Sequence, residues 1–531
     1  MLFFLFPETM SLPALLEKDS MTEATLTQSR ANHKLISFLP ETDLSRLAAE
    51  GYALAQAEPC ILEMIDQDRD AFALNKKKER LEDKVWFMSQ GRSLPGFDID
   101  SDEEWADRLE LFSGRTRMPA ELVLIFILIR GYLGGFKDKK TAMILAESKT
   151  LEIILSNLDL RLPGASTILD NINPIRLETL EFIMDAQIRY ARTANLDTFR
   201  KLTVDSTSVE ANSIWPTDSG TIVGLATRAE NLLRGLSKFG ISLNLPVIAK
   251  QHLADMDILH KQIQMSSGKK DSATKRKRYY KKLCKLAKKI RRILLATLER
   301  GNIKASGLEL MPSLRARLMM CLDWIRVDLS NLGLSIENAE SRVLRNEKVP
   351  AKQKILSFSD QDAALIKKGD RDPLLGYKPQ IARSGNGFVT ALIVPEGNAA
   401  DSDQLRSIVD KSLKRTGIVP SVLSLDDGYT NSKDRDYYLD LGIAVVSFSG
   451  SKGKRLIPED EYNSRPYKKA RNDRSAVESL IFTLKHNNDF DQVMRRGIEN
   501  VRAELLEKSI VHNFFRMIRL RQVHDELDAA A

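Results

Sequence analysis

Ser421-Val422-Leu423-Ser424-Leu425-Asp426-Asp427-Gly428-Tyr429 reads as a short strand running directly into a turn that carries two carboxylates. Residues 421–425 are mostly apolar, and Asp-Gly punctuates the end of the run. Downstream, Ser432–Leu441 has helical patterning and Ile443–Phe448 is a second short strand. A basic, glycine-containing loop (Gly450–Arg455) follows, and then a helix over 473–486. Upstream, a helix is expected over Asp403–Leu413. Before it, Tyr377–Arg383 and Phe388–Val394 flank Ser384-Gly385-Asn386-Gly387. Asn-Gly between two apolar runs predicts a β-hairpin. Pro379 lacks the N–H that a ladder needs, so it belongs near the start of its strand or at a bulge.

Farther upstream, Leu202-Thr203-Val204-Asp205-Ser206 alternates as a half-buried strand does. Between it and the hairpin, from about Gly220 to Asn346, the pattern is helical. With that insert set aside, the order is strand, hairpin, helix, strand, helix, strand, helix, which is an α/β unit with a mixed sheet. Residues 118–195 read as helices over Ala120–Tyr132, Thr141–Ser148, Leu151–Leu158 and Ile175–Arg192. Pro163-Gly164-Ala165-Ser166-Thr167 is a turn that offers a helix N-cap. Short helices joined by tight turns suit a helix-turn-helix, and equally a small helical bundle. Residues 1 to about 110 are helix-prone and charged, with an acidic patch over Asp98–Glu104, and the chain ends in a helical tail.

At 531 residues, with 43% hydrophobic and 29% charged residues, the chain has the composition of a multidomain globular protein. Cys60, Cys284 and Cys321 are widely separated and form no Cys-x-x-Cys pair, so a structural zinc site is not expected and a reducing cytoplasm fits. The apolar start, Met1–Phe6, is short and lacks a basic leader, so no signal peptide is expected. The longest apolar run, Leu122–Ile129, stops at Arg130, well short of the roughly 18 residues a membrane span needs. Net charge is +8, but Lys269–Arg292 alone holds thirteen Lys/Arg against Asp271, so the rest of the chain sums to −4. Concentrated positive charge suits a phosphate-backbone binder; the plain alternative is a solvated helix face. Within it, Tyr280, Leu283, Ala287, Ile290 and Leu294 recur at helical spacing as one apolar stripe.

Three acids fall on the α/β unit: Asp205 on the first strand, Asp426 at the end of a later one, and Glu478 on the last helix. If the two strands are neighbours, the aspartates converge at one end of the sheet, where a packed helix adds the glutamate. An all-oxygen site of this kind suits a hard divalent cation. Arg474, Glu478 and Lys485 fall within roughly 40° of one another on a helix of about 100° per residue, so one face presents a carboxylate between two cations. An ordinary i,i+4 Arg–Glu pair gives the same spacing.

At these residues the sequence resembles the DDE transposases of bacterial insertion sequences. Val204-Asp205-Ser206-Thr207, continuing to Pro216-Thr217-Asp218-Ser219, is similar to the first-aspartate block. Gly376-Tyr377-Lys378 through Pro395-Glu396-Gly397-Asn398 is similar to the family's hairpin. Leu425-Asp426-Asp427-Gly428-Tyr429 is similar to the second-aspartate block, whose Asp-x-Gly-Tyr spacing selects Asp426 over Asp427. Arg474, Glu478 and Lys485 match an Arg-x3-Glu-x6-Lys signature. Two departures stand out. Arg471 occupies the position where the signature commonly has tyrosine, the nearest being Tyr467. The long insertion follows Asp205, whereas many members carry theirs just before the glutamate helix.

The resemblance implies a ribonuclease H-like catalytic domain (196–219 and 370–490) with a mixed five-stranded sheet. Around it would lie an N-terminal helical region (1–115), a helical DNA-binding domain with a possible helix-turn-helix (116–195), a basic helical insertion (220–369) and a helical tail (491–531). It further implies metal-dependent cleavage at transposon ends and strand transfer. Asp205, Asp426 and Glu478 would be the catalytic, metal-holding residues, with Mg2+ or Mn2+, two ions, as cofactor. Arg474, Lys485, Lys275, Arg276, Lys277 and Arg278 would contact DNA, as would Lys452, Lys454, Arg455, Lys468 and Lys469. The implied partners are double-stranded DNA, as inverted repeats and target, and further copies of the chain in a dimer or larger synaptic complex. The alternatives are a non-catalytic DNA-binding protein, a structure-specific nuclease of the same fold, and a degenerate copy.

Overall fold

The computed structural model describes residues 42–91, 117–135, 149–157, 161–213, 215, 217–266, 271–350, 353–367 and 372–530. The helix expected over Thr141–Ser148 and the acidic patch Asp98–Glu104 lie outside them. The helices of the first half are α1 (Asp43–Ala57), α2 (Cys60–Ser89), α3 (Ala120–Tyr132), α4 (Lys149–Asn157), α5 (Ala165–Ile172) and α6 (Leu177–Thr193). Gly164 is the N-cap of α5 with extended backbone, and no side chain caps it. Strands β1 (Lys201–Ser206) and β2 (Val209–Glu210) follow. Then come four helices, α7 (Asp218–Gly235), α8 (Val247–Met265), α9 (Ser272–Ser306) and α10 (Pro312–Ala339). The α/β unit resumes with β3 (Ala364–Ile366), β4 (Leu374–Tyr377), β5 (Gln380–Ser384), β6 (Val389–Ile393), α11 (Asp401–Thr416), β7 (Val422–Leu425), α12 (Ser432–Asp440) and β8 (Val445–Phe448). It ends in α13 (Ser451–Leu456), α14 (Glu459–Asn463), α15 (Arg465–Asp473), α16 (Ser475–Asn487) and α17 (Ile498–Ala530).

The main sheet has five strands in the order β6-β5-β1-β7-β8. β1, β7 and β8 run parallel, while β5 pairs antiparallel with both β1 and β6. The mixed sheet expected from the sequence is therefore present, and its order brings β1 beside β7 across the long insert. The hairpin turns as Asn-Gly predicts: Gly387 takes φ +94°, a left-handed value that glycine tolerates without strain. The stretch read as one strand over Tyr377–Arg383 is two. It breaks at Lys378-Pro379, and β4 joins a separate three-stranded sheet, β2-β4-β3. Proline cannot donate to a ladder, so it marks the point where the chain changes sheets.

Both outer strands of the main sheet are covered. On β6, Asn513 of α17 accepts from Val389 N–H (2.8 Å) and donates to Val389 C=O (3.0 Å). On β8, the Tyr467 hydroxyl accepts from Phe448 N–H (2.9 Å) and donates to Phe448 C=O (3.3 Å). Side chains thus take up backbone groups that would otherwise template pairing with another chain.

One core joins the N-terminal helices, the sheet and α17; Phe126, Ile183, Ile381, Leu484, Leu506 and Phe514 are all buried in it. A second lies against the face of the sheet that carries Leu202, Val204, Leu423 and Leu425. The four insert helices enclose a third, in which Tyr280, Leu283, Ala287, Ile290 and Leu294 of α9 are buried as their spacing predicts. Among the described residues no helix is long and apolar enough to cross a membrane.

His512, on α17, is buried and bonded through Nε2 to the Gly387 carbonyl (3.1 Å). Burial pushes its pKa down to about 4. The unfolded chain takes up a proton near pH 6.5, whereas the folded one resists until about pH 4. Stability is therefore lost as pH falls through this window, by about 2 kcal/mol at pH 5 from this group. Chemical denaturation of His512→Gln at pH 7 and pH 5 should show a correspondingly shallower loss; equal losses in both proteins would contradict this account.

Candidate active site

In the parallel pairing of β1 with β7, Val204 stands beside Leu425. The next residue on each strand is a carboxylate: Asp205, and Asp426 at the end of β7. Both therefore emerge where parallel strands end, the place where open α/β sheets build their sites. Alternation along β1 sends Leu202 and Val204 into one core and Thr203 and Asp205 to the opposite face. Helix α16, which carries Glu478, packs against β1 and β5.

Arg474 sits at the junction of α15 and α16 and draws the three acids together. Its Nη1 lies 3.6 Å from Asp205 Oδ2 and 3.6 Å from Asp426 Oδ1, and its Nη2 donates to Glu478 Oε1 at 2.6 Å. The carboxylates are graded in exposure: 8% for Asp205, 39% for Asp426 and 53% for Glu478. The site thus has a fixed floor and an accessible rim. Ser206 N–H donates to Asp205 Oδ1 (2.7 Å), and the Ser449 hydroxyl donates to Asp426 Oδ1 (3.1 Å).

The two adjacent aspartates have separate tasks. Asp427 turns away to accept the N–H groups of Lys452 (2.9 Å) and Gly453 (3.0 Å) at the start of α13. This cap explains why the basic loop read over Gly450–Arg455 is helical from Ser451. Gly450 makes room for it: a Cβ there would lie 2.6 Å from the Asp427 carboxyl carbon, and its φ is +95°. Tyr429 is fully buried beneath the acids and donates to Gln380. Burial first, then the charges of Asp401, Asp205 and Asp426, push its phenol well above the ordinary value, so it stays protonated as a donor.

Of the cations singled out in the sequence, Arg474 lies among the acids. Lys485 Nζ donates to the Ser208 carbonyl (2.9 Å) in the turn after β1. Lys275 and Arg278 are exposed and Arg276 and Lys277 half-buried at the start of α9, which packs on α7, α8 and α10. Lys452, Lys454, Arg455, Lys468 and Lys469 are exposed. The Tyr467 hydroxyl is bonded to the Phe448 backbone, and Arg471 lies over the Tyr462 ring at 4.6 Å. Ser449 and the capping role of Asp427 were not read from the sequence. Ser449 directly follows β8, so the position after each parallel strand was the available signal.

Residues 353–514 match the family model described as the transposase DDE domain. The chain thus carries a transposase DDE domain in its second half. The match includes Asp426, Arg474 and Glu478 and begins after Asp205, which the helical insert separates from the rest. No curated protein and no solved structure matches the chain. The mixed five-stranded sheet of the chain is consistent with a ribonuclease H-like fold.

The family generally uses divalent metal ions. The donor set suits them: three carboxylates of graded exposure, already gathered around a cation, supply only hard oxygen ligands. Among the described residues no three acidic, histidine or cysteine side chains are gathered closely enough to enclose an ion as they stand. Arg474 stands between the carboxylates instead.

Proposed function

We propose that this chain is a transposase that cuts DNA at the ends of its element, frees a 3′-hydroxyl and joins it to a target phosphodiester. The reading rests on Asp205, Asp426 and Glu478 as holders of Mg2+ or Mn2+, two ions in all. The observation that carries it is the convergence of these three carboxylates, from strand, strand end and helix, on the single guanidinium of Arg474. Both steps are in-line displacements at phosphorus, so one site serves both. When bound, the ions stabilise charge on the phosphoryl oxygens and favour deprotonation of the attacking oxygen.

The protein's own groups position the reactants. Asp205, nearly buried and anchored by Ser206 N–H, is the fixed ligand, and Asp426 is steadied by Ser449. Glu478, on the rim, completes the set from the DNA side. Arg474 and Lys485 bind phosphate, and Arg474 does not shuttle protons, because a guanidinium stays charged at working pH. Lys275, Arg276, Lys277 and Arg278 hold the backbone of double-stranded DNA without reading its sequence. Residues 116–195 engage the inverted repeats. Pairing two ends calls for a homodimer or larger synaptic complex acting in the cytoplasm, with no membrane partner.

The test is incubation of the purified chain with duplex carrying the inverted repeats that bracket its gene, with Mg2+ or Mn2+ and with EDTA. Metal-dependent nicks bearing 3′-hydroxyls, followed by joined products, are expected. Cutting without joining would indicate a nuclease, and binding without cutting would overturn the proposal. Replacing Lys275, Arg276, Lys277 and Arg278 by Gln should lower the slope of log affinity against log salt by about 3 to 4. An unchanged slope would remove these residues from the interface.

A further inference from the structure

We infer that Arg474 is an internal counter-ion that keeps divalent metal out of the three-carboxylate site until a DNA phosphate draws it away. The inference rests on the reading of Asp205, Asp426 and Glu478 as metal ligands. One guanidinium contacts all three acids, with the shortest contact, 2.6 Å, to Glu478. A divalent ion bound by the same oxygens would lie against this fixed positive charge, and like charges at such separations repel strongly outside bulk water. Arg474 and the ion therefore compete for one set of ligands.

Arg474 has a route out. Its side chain is 21% exposed, and its strongest partner, Glu478, is the most exposed of the three acids. It also stands at the joint between α15 and α16, where rotation about its own side-chain bonds disturbs no helix interior. Asp205 and Asp426 hold other partners in Ser206 and Ser449, so they keep their places when the guanidinium leaves. Arg474 is lodged among the three carboxylates, while Lys485, on the same helix face, donates to the Ser208 carbonyl.

A phosphate diester offers the guanidinium a planar, two-pronged anionic partner. DNA that engages Arg474 frees the carboxylates for metal, and metal in turn releases Arg474 to DNA. The coupling is reciprocal, as linkage requires. Metal-dependent chemistry is thereby restrained in the free protein and enabled on DNA.

The experiment measures Mn2+ binding to the full chain by electron paramagnetic resonance of the free ion, without DNA, in wild type, Arg474→Gln, Arg474→Lys and Asp205→Asn. Arg474→Gln should bind Mn2+ about tenfold more tightly than wild type, and Arg474→Lys, which keeps the charge, much less so. Adding duplex carrying the terminal repeat should tighten binding to wild type by about the same factor and leave Arg474→Gln nearly unchanged. Equal or weaker binding to Arg474→Gln, with Asp205→Asn still impaired, overturns the counter-ion role and leaves the ligand assignment standing. Binding to Asp205→Asn that equals wild type overturns both.

Discussion

Asp205→Asn and Glu478→Gln are each expected to reduce strand cleavage by about a thousandfold or more while leaving duplex binding nearly unchanged. Metal ligands contribute several kcal/mol of charge stabilisation in a phosphoryl displacement, and each 1.36 kcal/mol is a factor of ten in rate. Either amide keeps the size of the acid it replaces and removes one negative charge. Asp205 is nearly buried and Glu478 is on the rim, so the two substitutions probe opposite ends of the site. Gel-based cleavage of end DNA, with binding measured in parallel by anisotropy, separates the chemistry from affinity. Wild-type cutting by either variant would remove that residue from the mechanism.

The largest expected loss of stability comes from Glu507→Gln. Glu507 is buried on α17 and accepts from Arg130 of α3 (2.6 and 3.0 Å) and from Arg495 (2.6 Å). Burial draws the Arg130 pKa down to about 10, so it remains charged at neutral pH. Removing the acid leaves buried guanidinium charge without its partner, which typically costs about 3–5 kcal/mol. Denaturant unfolding should show a fall of that order. A change below about 1 kcal/mol would mean that water reaches this pair, as at an exposed salt bridge. The same pair shows why the C-terminal helix is more than a tail: α17 packs against α3 and α6 and covers the edge strand β6.

Much of the α/β unit was legible because its signals are local. The alternation of residues 202–206, Asn-Gly at 386–387 and Asp-x-Gly-Tyr at 426–429 each report a backbone geometry fixed within a few residues. The shared face of Arg474 and Glu478 followed from helical arithmetic, and the geometry adds that Arg474 also reaches Asp205 and Asp426. What escaped reading depends on distant partners. Helix α13 exists beside a cap supplied by Asp427, more than twenty residues earlier in the chain. The three-stranded sheet is built from strands of two to four residues, too short to show periodicity. Glu504, Glu507 and Lys508 look like a solvated helix face and are buried: Arg130 and Arg495 reach Glu507 from outside the helix, while Glu504 and Lys508 pair with each other and take backbone partners from residues 489–495.

The adjacent aspartates give the most direct test of the central claim, because one faces Arg474 and the other caps a helix. Metal-dependent cleavage of end DNA should be compared for Asp426→Asn and Asp427→Asn. Asparagine retains the carbonyl oxygen that a cap requires, so Asp427→Asn is expected to cut at a rate within about tenfold of wild type. Asp426→Asn is expected to be inactive. An active Asp426→Asn, or a reversal of the two, would contradict the assignment of the three acids.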